Sequence, residues 1–256
     1  RRASRGLTSG PFGRGLGRSA CGLGAWVPPF LGLFFAPSCA LEKEYRKDAH
    51  QSMSLLVNRY SVMTFYSDPT DPACHAVRFV LAEKDINVDV VQVQGDHRPE
   101  ELNDLNPYGA VLTLVDRDLV LYEEHIIMEY LDERFPHPPL MPVDPVSRAS
   151  NRLLRYRLKR DIYALVDALE RQVGDAQRRG LRDHLTAIAP LFAHKPFFMS
   201  DELSLVDCYL APVLWRLPKY GVQLPSQARS LLQYGERLFQ RPSFRGSLSV
   251  AEREMR

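Results

Sequence analysis

The chain has 256 residues, 45% hydrophobic and 25% charged, which is long enough for two globular domains. Its net charge of +2 is uneven: residues 1–52 hold eight Lys/Arg and three Asp/Glu, so the remainder is net acidic by three. That balance excludes a polycationic surface able to bind nucleic acid by itself without regard to sequence.

Residues 1–52 read as a disordered or spurious extension. Arg1 to Leu41 holds five arginines and no acid, with an apolar patch at Leu23–Phe35 broken by Pro28-Pro29. A signal or transit peptide shares this look. The first methionine is Met53, and the globular pattern starts just after it, so Met53 is the expected start. The patch falls short of the ~18 uninterrupted apolar residues of a spanning helix, so no membrane contact is expected.

A first strand is predicted over Tyr60–Tyr66, then a loop over Asp68–Pro72. A helix follows to about Lys84, with Ala73, Val77, Val80 and Leu81 on its core face. Asp71 is placed to cap it and Pro72 suits its first position. Val88–Val93 is a second strand, parallel to the first by a right-handed crossover. Pro99–Leu105 is a short helix. Val111–Val115 and Leu119–Tyr122 flank Asp116-Arg117-Asp118, a hairpin signal without glycine. The next helix carries Ile126, Ile127, Tyr130 and Leu131 and stops before Pro136. This order, βαβαββα, is thioredoxin-like and is assigned to residues 58–137.

Five prolines between Phe135 and Val146 mark a linker, bounded at 138–146. Residues 147–256 read as all helix: Ser147–Val173, Gln177–Phe192, Ser204–Leu217, Gln227–Phe239 and a short one near Pro242–Glu252. Ser204-x-x-Asp207 is a variant capping box. Of the four cysteines, only Cys74 and Cys208 lie in this globular part. Neither forms a Cys-x-x-Cys pair, and the seven histidines lack metal-ligand spacing. No disulfide framework, metal or cofactor is expected, and a reducing compartment is the default.

Asn106-Pro107, a short hairpin and Glu123-Glu124-His125-Ile126-Ile127-Met128-Glu129-Tyr130-Leu131 resemble the glutathione-site half of the glutathione transferase superfamily. The exit Asp132-Glu133-Arg134-Phe135-Pro136-His137-Pro138-Pro139-Leu140-Met141-Pro142 narrows the resemblance to the stringent starvation protein A family, a bacterial branch associated with RNA polymerase. Leu203–Pro218 and Ala251–Arg256 agree with it. The resemblance covers Tyr60 to Arg256. It implies a two-domain glutathione transferase fold, a homodimer and a cytoplasmic protein.

Catalysis looks lost. Counting back from Val77-Arg78, the catalytic serine or cysteine of the superfamily falls near Asp71. A carboxylate there repels a thiolate by on the order of 4 kcal/mol at ~4 Å in an effective dielectric of ~20. Tyr66 and Ser67 lie upstream as substitutes. Cys74, one turn into the helix, is a candidate thiol with a pKa lowered by the helix N-terminus, or a packing residue. Leu112 replaces the superfamily's cis-proline, so Val111–Leu112 should be trans. Glu124 replaces a serine, and Glu123-Glu124 then brings a second carboxylate to the tripeptide site. Ser67, Asp71, Val111, Leu112, Glu123 and Glu124 are read as a degenerate glutathione site filled with negative charge.

The resemblance implies binding instead. Phe135, Pro136, His137, Pro138, Pro139 and Leu140 match the family's proline–histidine surface, used in transcription activation. Asp144 departs from the family's tyrosine. Arg148, Arg152, Arg155 and Lys159 recur along one helix stripe, read as a solvated face or a contact for an acidic partner or DNA. The expected partners are RNA polymerase and the housekeeping sigma factor, with DNA met only inside that complex. The alternatives are a glutathione-dependent transferase or thiol reductase using Cys74 or Ser67, and a dimeric scaffold pairing with a homologous chain.

Overall fold

The computed structural model describes residues 62–95, 98–171 and 174–256; the extension assigned to residues 1–52 lies outside them. The first half runs β1 (Thr64–Ser67), α1 (Pro72–Glu83), β2 (Asp89–Gln92), α2 (Glu100–Leu105), β3 (Thr113–Asp116), β4 (Leu119–Tyr122) and α3 (Glu124–Arg134). The sheet order is β2-β1-β3-β4, with β1 parallel to β2 and antiparallel to β3. β3 and β4 pair from Thr113↔Tyr122 to Asp116↔Leu119, and Arg117 takes the left-handed conformation the glycine-free turn needs. This is the predicted thioredoxin-like order, with strands shorter than expected.

Alternation along the strands splits the apolar residues between two faces. Phe65 and Leu114, which pair across β1 and β3, belong to the main core. Tyr66 and Val115 join Leu102 and Leu105 of α2 in a smaller cluster.

The second half is helical. α4 (Pro145–Leu158) passes through a π-turn at Lys159–Tyr163 into α5 (Ala164–Arg171), so the expected single helix is interrupted. Then come α6 (Asp175–Ile188), a 3₁₀ turn at Ala189–Phe192, α7 (Leu205–Trp215), α8 (Arg229–Phe239), α9 (Pro242–Ser247) and α10 (Val250–Arg253). α7 is apolar but for Asp207 and is buried from Leu205 to Leu214. Its Tyr209 and Leu210 lie in the same continuous core as Phe65 and Leu114, so the two halves share one interior.

Helix starts follow local chemistry. Asp71 Oδ2 accepts the Cys74 amide at 2.6 Å, with Pro72 at the first position of α1. Asp144 caps α4 by accepting the Ser147 amide at 2.9 Å. At α7 the Asp207 carboxylate accepts both the amide and the hydroxyl of Ser204, at 2.8 and 2.9 Å. Among the described residues no helix is long and apolar enough to cross a membrane.

Candidate functional site

The loop after β1 and the start of α1 hold Ser67 and Asp71, read from the sequence as part of a degenerate glutathione site, and Cys74, the candidate thiol, and each is committed inward. Ser67 is buried and its Oγ accepts a hydrogen bond from Arg78 Nη1. Asp71 spends its carboxylate on capping α1. Burial pushes the Asp71 carboxyl up, against the pull of the Cys74 amide. Cys74 is buried, its Sγ accepts the Asp68 amide at 3.3 Å, and burial reinforced by Asp71 pushes its thiol well above the usual range. The lowered thiol pKa expected from the helix N-terminus does not occur, because desolvation outweighs the helix end. Tyr66 packs in the cluster beside α2.

Val111 and Leu112 carry an ordinary trans bond, since the one cis peptide among the described residues is His137–Pro138. Leu112 turns into the main core. Glu123 holds a left-handed backbone at the start of α3, and its carbonyl accepts the Ile126 and Ile127 amides, each at 3.1 Å. The reading of a cleft filled with negative charge needs correction. Lys159 pairs with both Glu123 and Glu124, the latter at 3.1 Å, and the Tyr209 hydroxyl donates to Glu124 at 2.9 Å. Glu123, Glu124 and His125 bring potential metal-ligating atoms within 4.8 Å of one another, but the Lys159 ammonium already takes the cation position on both carboxylates. His125 lies against Tyr209; burial, with Arg155 and Lys159 nearby, pulls its imidazole down to about 4.

The arginine stripe is more engaged than a row of free charges: Arg152 is exposed and Arg148 and Lys159 are partly so, Arg155 is buried, and each member pairs with α3 or with Glu123 just before it. Arg148 reaches Glu133 at 3.1 Å, and Arg152 makes a two-pronged contact with Glu129. Arg155, only 2% exposed, also meets Glu129 and donates to Asn151 Oδ1 at 3.1 Å. Burial alone would raise the Glu129 carboxyl; the hydrogen bonds from Arg152 and Arg155 outweigh it and hold it low. The acids opposite the stripe are Glu123, just before α3, and Glu124, Glu129 and Glu133 within it.

After α3 the chain presents a surface. Pro136, His137, Pro138 and Pro139 are all exposed, and Phe135 is half-buried with the Arg134 guanidinium 5.5 Å from its ring centre. Leu140 departs from the expected surface set: it is 2% exposed and sits in the main core beside Met141, because an aliphatic side chain next to the α3–α4 junction gains more by burial than by exposure.

Sequence reasoning missed two buried polar knots. One lies under the proline surface, at Lys84 and Asp132. The other brings Glu252 of α10 to Arg78 of α1 at 2.6 Å and to Arg216 after α7. Arg216 also donates to the Thr70 carbonyl at 3.0 Å, and the Ser249 hydroxyl donates to the Pro69 carbonyl at 2.6 Å. His75 joins through Ser247 Oγ at 3.0 Å, and burial with the two guanidiniums holds its imidazole well down. The C-terminal segment thereby fixes the loop between β1 and α1. The Ser249–Glu252 capping box is visible in sequence; its reach to residue 78 is not.

The glutathione S-transferase N-terminal domain family matches residues 61–133, and the C-terminal domain family matches residues 157–237. A theta class glutathione S-transferase from Xanthomonas axonopodis pv. citri, solved with glutathione bound, is similar with a TM-score of 0.67 at 19% identity, over 75% of this chain and 99% of that one. Fold and site together define a glutathione S-transferase-fold protein whose thiol positions are turned inward. The stringent starvation protein A homologs of Coxiella burnetii and Pasteurella multocida are each 49% identical to this chain, over 77% and 78% of it and 96% of each relative. The chain belongs to the stringent starvation protein A family.

Proposed function

We propose that this protein is a non-catalytic transcription regulator of the cytoplasm that binds RNA polymerase holoenzyme through the housekeeping sigma factor under starvation or stress. One contrast carries the reading. Ser67, Asp71 and Cys74 are consumed by internal bonds, while Pro136–Pro139 stand exposed in sequence order. A proline-rich surface loses little conformational entropy when a partner docks. The protein acts as a homodimer: Ile126 of α3 and Leu153 and Tyr156 of α4 are 53%, 58% and 56% exposed around the ion-pair stripe, an apolar set that a second copy would cover. DNA is met only within the polymerase complex.

The test is capture of polymerase holoenzyme by the full chain, comparing wild type with His137→Ala. Loss of capture with an unchanged melting temperature supports the reading; capture at the wild-type level overturns it. A parallel assay of glutathione with a standard electrophile should give no turnover above the uncatalysed rate, and measurable turnover would restore the transferase reading.

A further inference from the structure

Pro136, Pro138 and Pro139 carry no N–H, so the turn that displays His137 cannot close its own backbone hydrogen bonds as other turns do. Its donor comes from another element. Lys84, at the C-terminal end of α1, has a side chain 0% exposed. Its ammonium donates to the Phe135 carbonyl at 2.6 Å and to the Pro138 carbonyl at 2.7 Å, and pairs with Asp132 Oδ1 at 2.8 Å. An ammonium has three N–H donors, and here three acceptors meet them. Asp132 Oδ1 in turn accepts the Leu140 amide at 2.8 Å, the first amide after the proline run. The two residues thus grip the backbone at 135, 138 and 140, on both sides of His137.

We infer that Lys84 is the positioning residue of the Pro136–Pro139 surface: buried and touching no partner, it sets the backbone from which His137 and the proline rings meet polymerase. This rests on the proposed polymerase-binding role of that surface. The geometry differs from ordinary core packing in one respect. A lysine stem fills space as a methionine would, but only the ammonium can hold two carbonyls and a carboxylate at once.

Lys84→Met and Asp132→Asn are measured for polymerase affinity, melting temperature and hydrogen exchange of the Leu140 amide, beside His137→Ala and a core control, Leu185→Ala. Lys84→Met should weaken polymerase binding at least tenfold and speed Leu140 exchange more than global stability loss explains. Leu185→Ala should lower the melting temperature without changing affinity. In a His137→Ala background, Lys84→Met should add less loss than it causes alone. If His137→Ala loses binding while Lys84→Met and Asp132→Asn bind as wild type, the inference is overturned and the binding reading stands. If His137→Ala binds normally, the binding reading fails, and Leu140 exchange then decides the brace alone: an unchanged rate in both variants refutes it. Should Lys84→Met not fold, Asp132→Asn carries the same comparison.

Discussion

Glu252 and Arg216 form an ion pair with no solvent exposure on either side, and Arg78 completes it from the first helix at 2.6 Å. Removing one member of a buried pair leaves the others uncompensated and costs about 3–5 kcal/mol. Glu252→Ala should therefore lower the free energy of unfolding in urea by that amount. The Trp215 indole donates to the Glu252 carbonyl at 2.8 Å, so its fluorescence reports the transition. A loss under about 1 kcal/mol, the range of exposed pairs, would show that the knot does not hold the C-terminal segment in place.

Arg152 and Arg155 share Glu129 but should not matter equally. Arg152 is exposed and Arg155 is buried. Arg152→Ala should cost about 0.2–1 kcal/mol, and less in high salt. Arg155→Ala should cost about 3–5 kcal/mol and respond little to salt. Urea denaturation at two ionic strengths checks both values; equal costs would contradict the burial difference.

The start of α7 is an Asp207 site more than a Ser204 site. Asp207 accepts the Ser204 amide and hydroxyl, the Phe198 amide at 2.8 Å and the Tyr234 hydroxyl at 2.7 Å. Ser204→Ala should cost ~1 kcal/mol. Asp207→Ala leaves several buried donors unpaired at about 1–3 kcal/mol each, so it should destabilise several times more. Thermal melts of the two variants give the ratio, and near-equal shifts would count against the assignment.

His75 and His125 make stability depend on pH. Burial, together with neighbouring Arg and Lys, lowers both folded values below the ordinary 6.5, that of His125 to about 4. The unfolded chain then binds more protons than the folded chain below pH 6.5, so stability is full above that point and falls as pH drops. For His125 the loss between pH 6.5 and about 4 should approach ~1.4 kcal/mol per pH unit, and His75 adds to it in the same direction. Melting temperatures across that range should fall, and His125→Gln should flatten the slope. The same slope in the variant would remove His125 as a cause.

Cys74 and Cys208 are buried, and burial pushes both thiols well up. Only thiolate reacts at a useful rate. An alkylating reagent at neutral pH should leave both unlabelled in the native protein and label both in denaturant. Rapid native labelling of Cys74 would reopen the thiol reductase alternative.

The sequence by itself determined what depends on neighbours a few residues away. The Asp71 cap with Pro72, the Ser204–Asp207 start of α7, the glycine-free hairpin and the helix stop before Pro136 all follow from local sterics and hydrogen-bond geometry, and the proline–histidine motif carried the family. Tertiary structure decided where charge goes. Arg152 meets Glu129 across 23 positions, Arg155 meets it across 26, and Arg78 meets Glu252 across 174. Helical spacing shows that four cations share a stripe but not which acids lie opposite. Nothing local marks Lys84 as the donor for carbonyls more than 50 positions away. Propensity acts over a helical turn; burial and ion pairing act between surfaces that only the folded chain brings together.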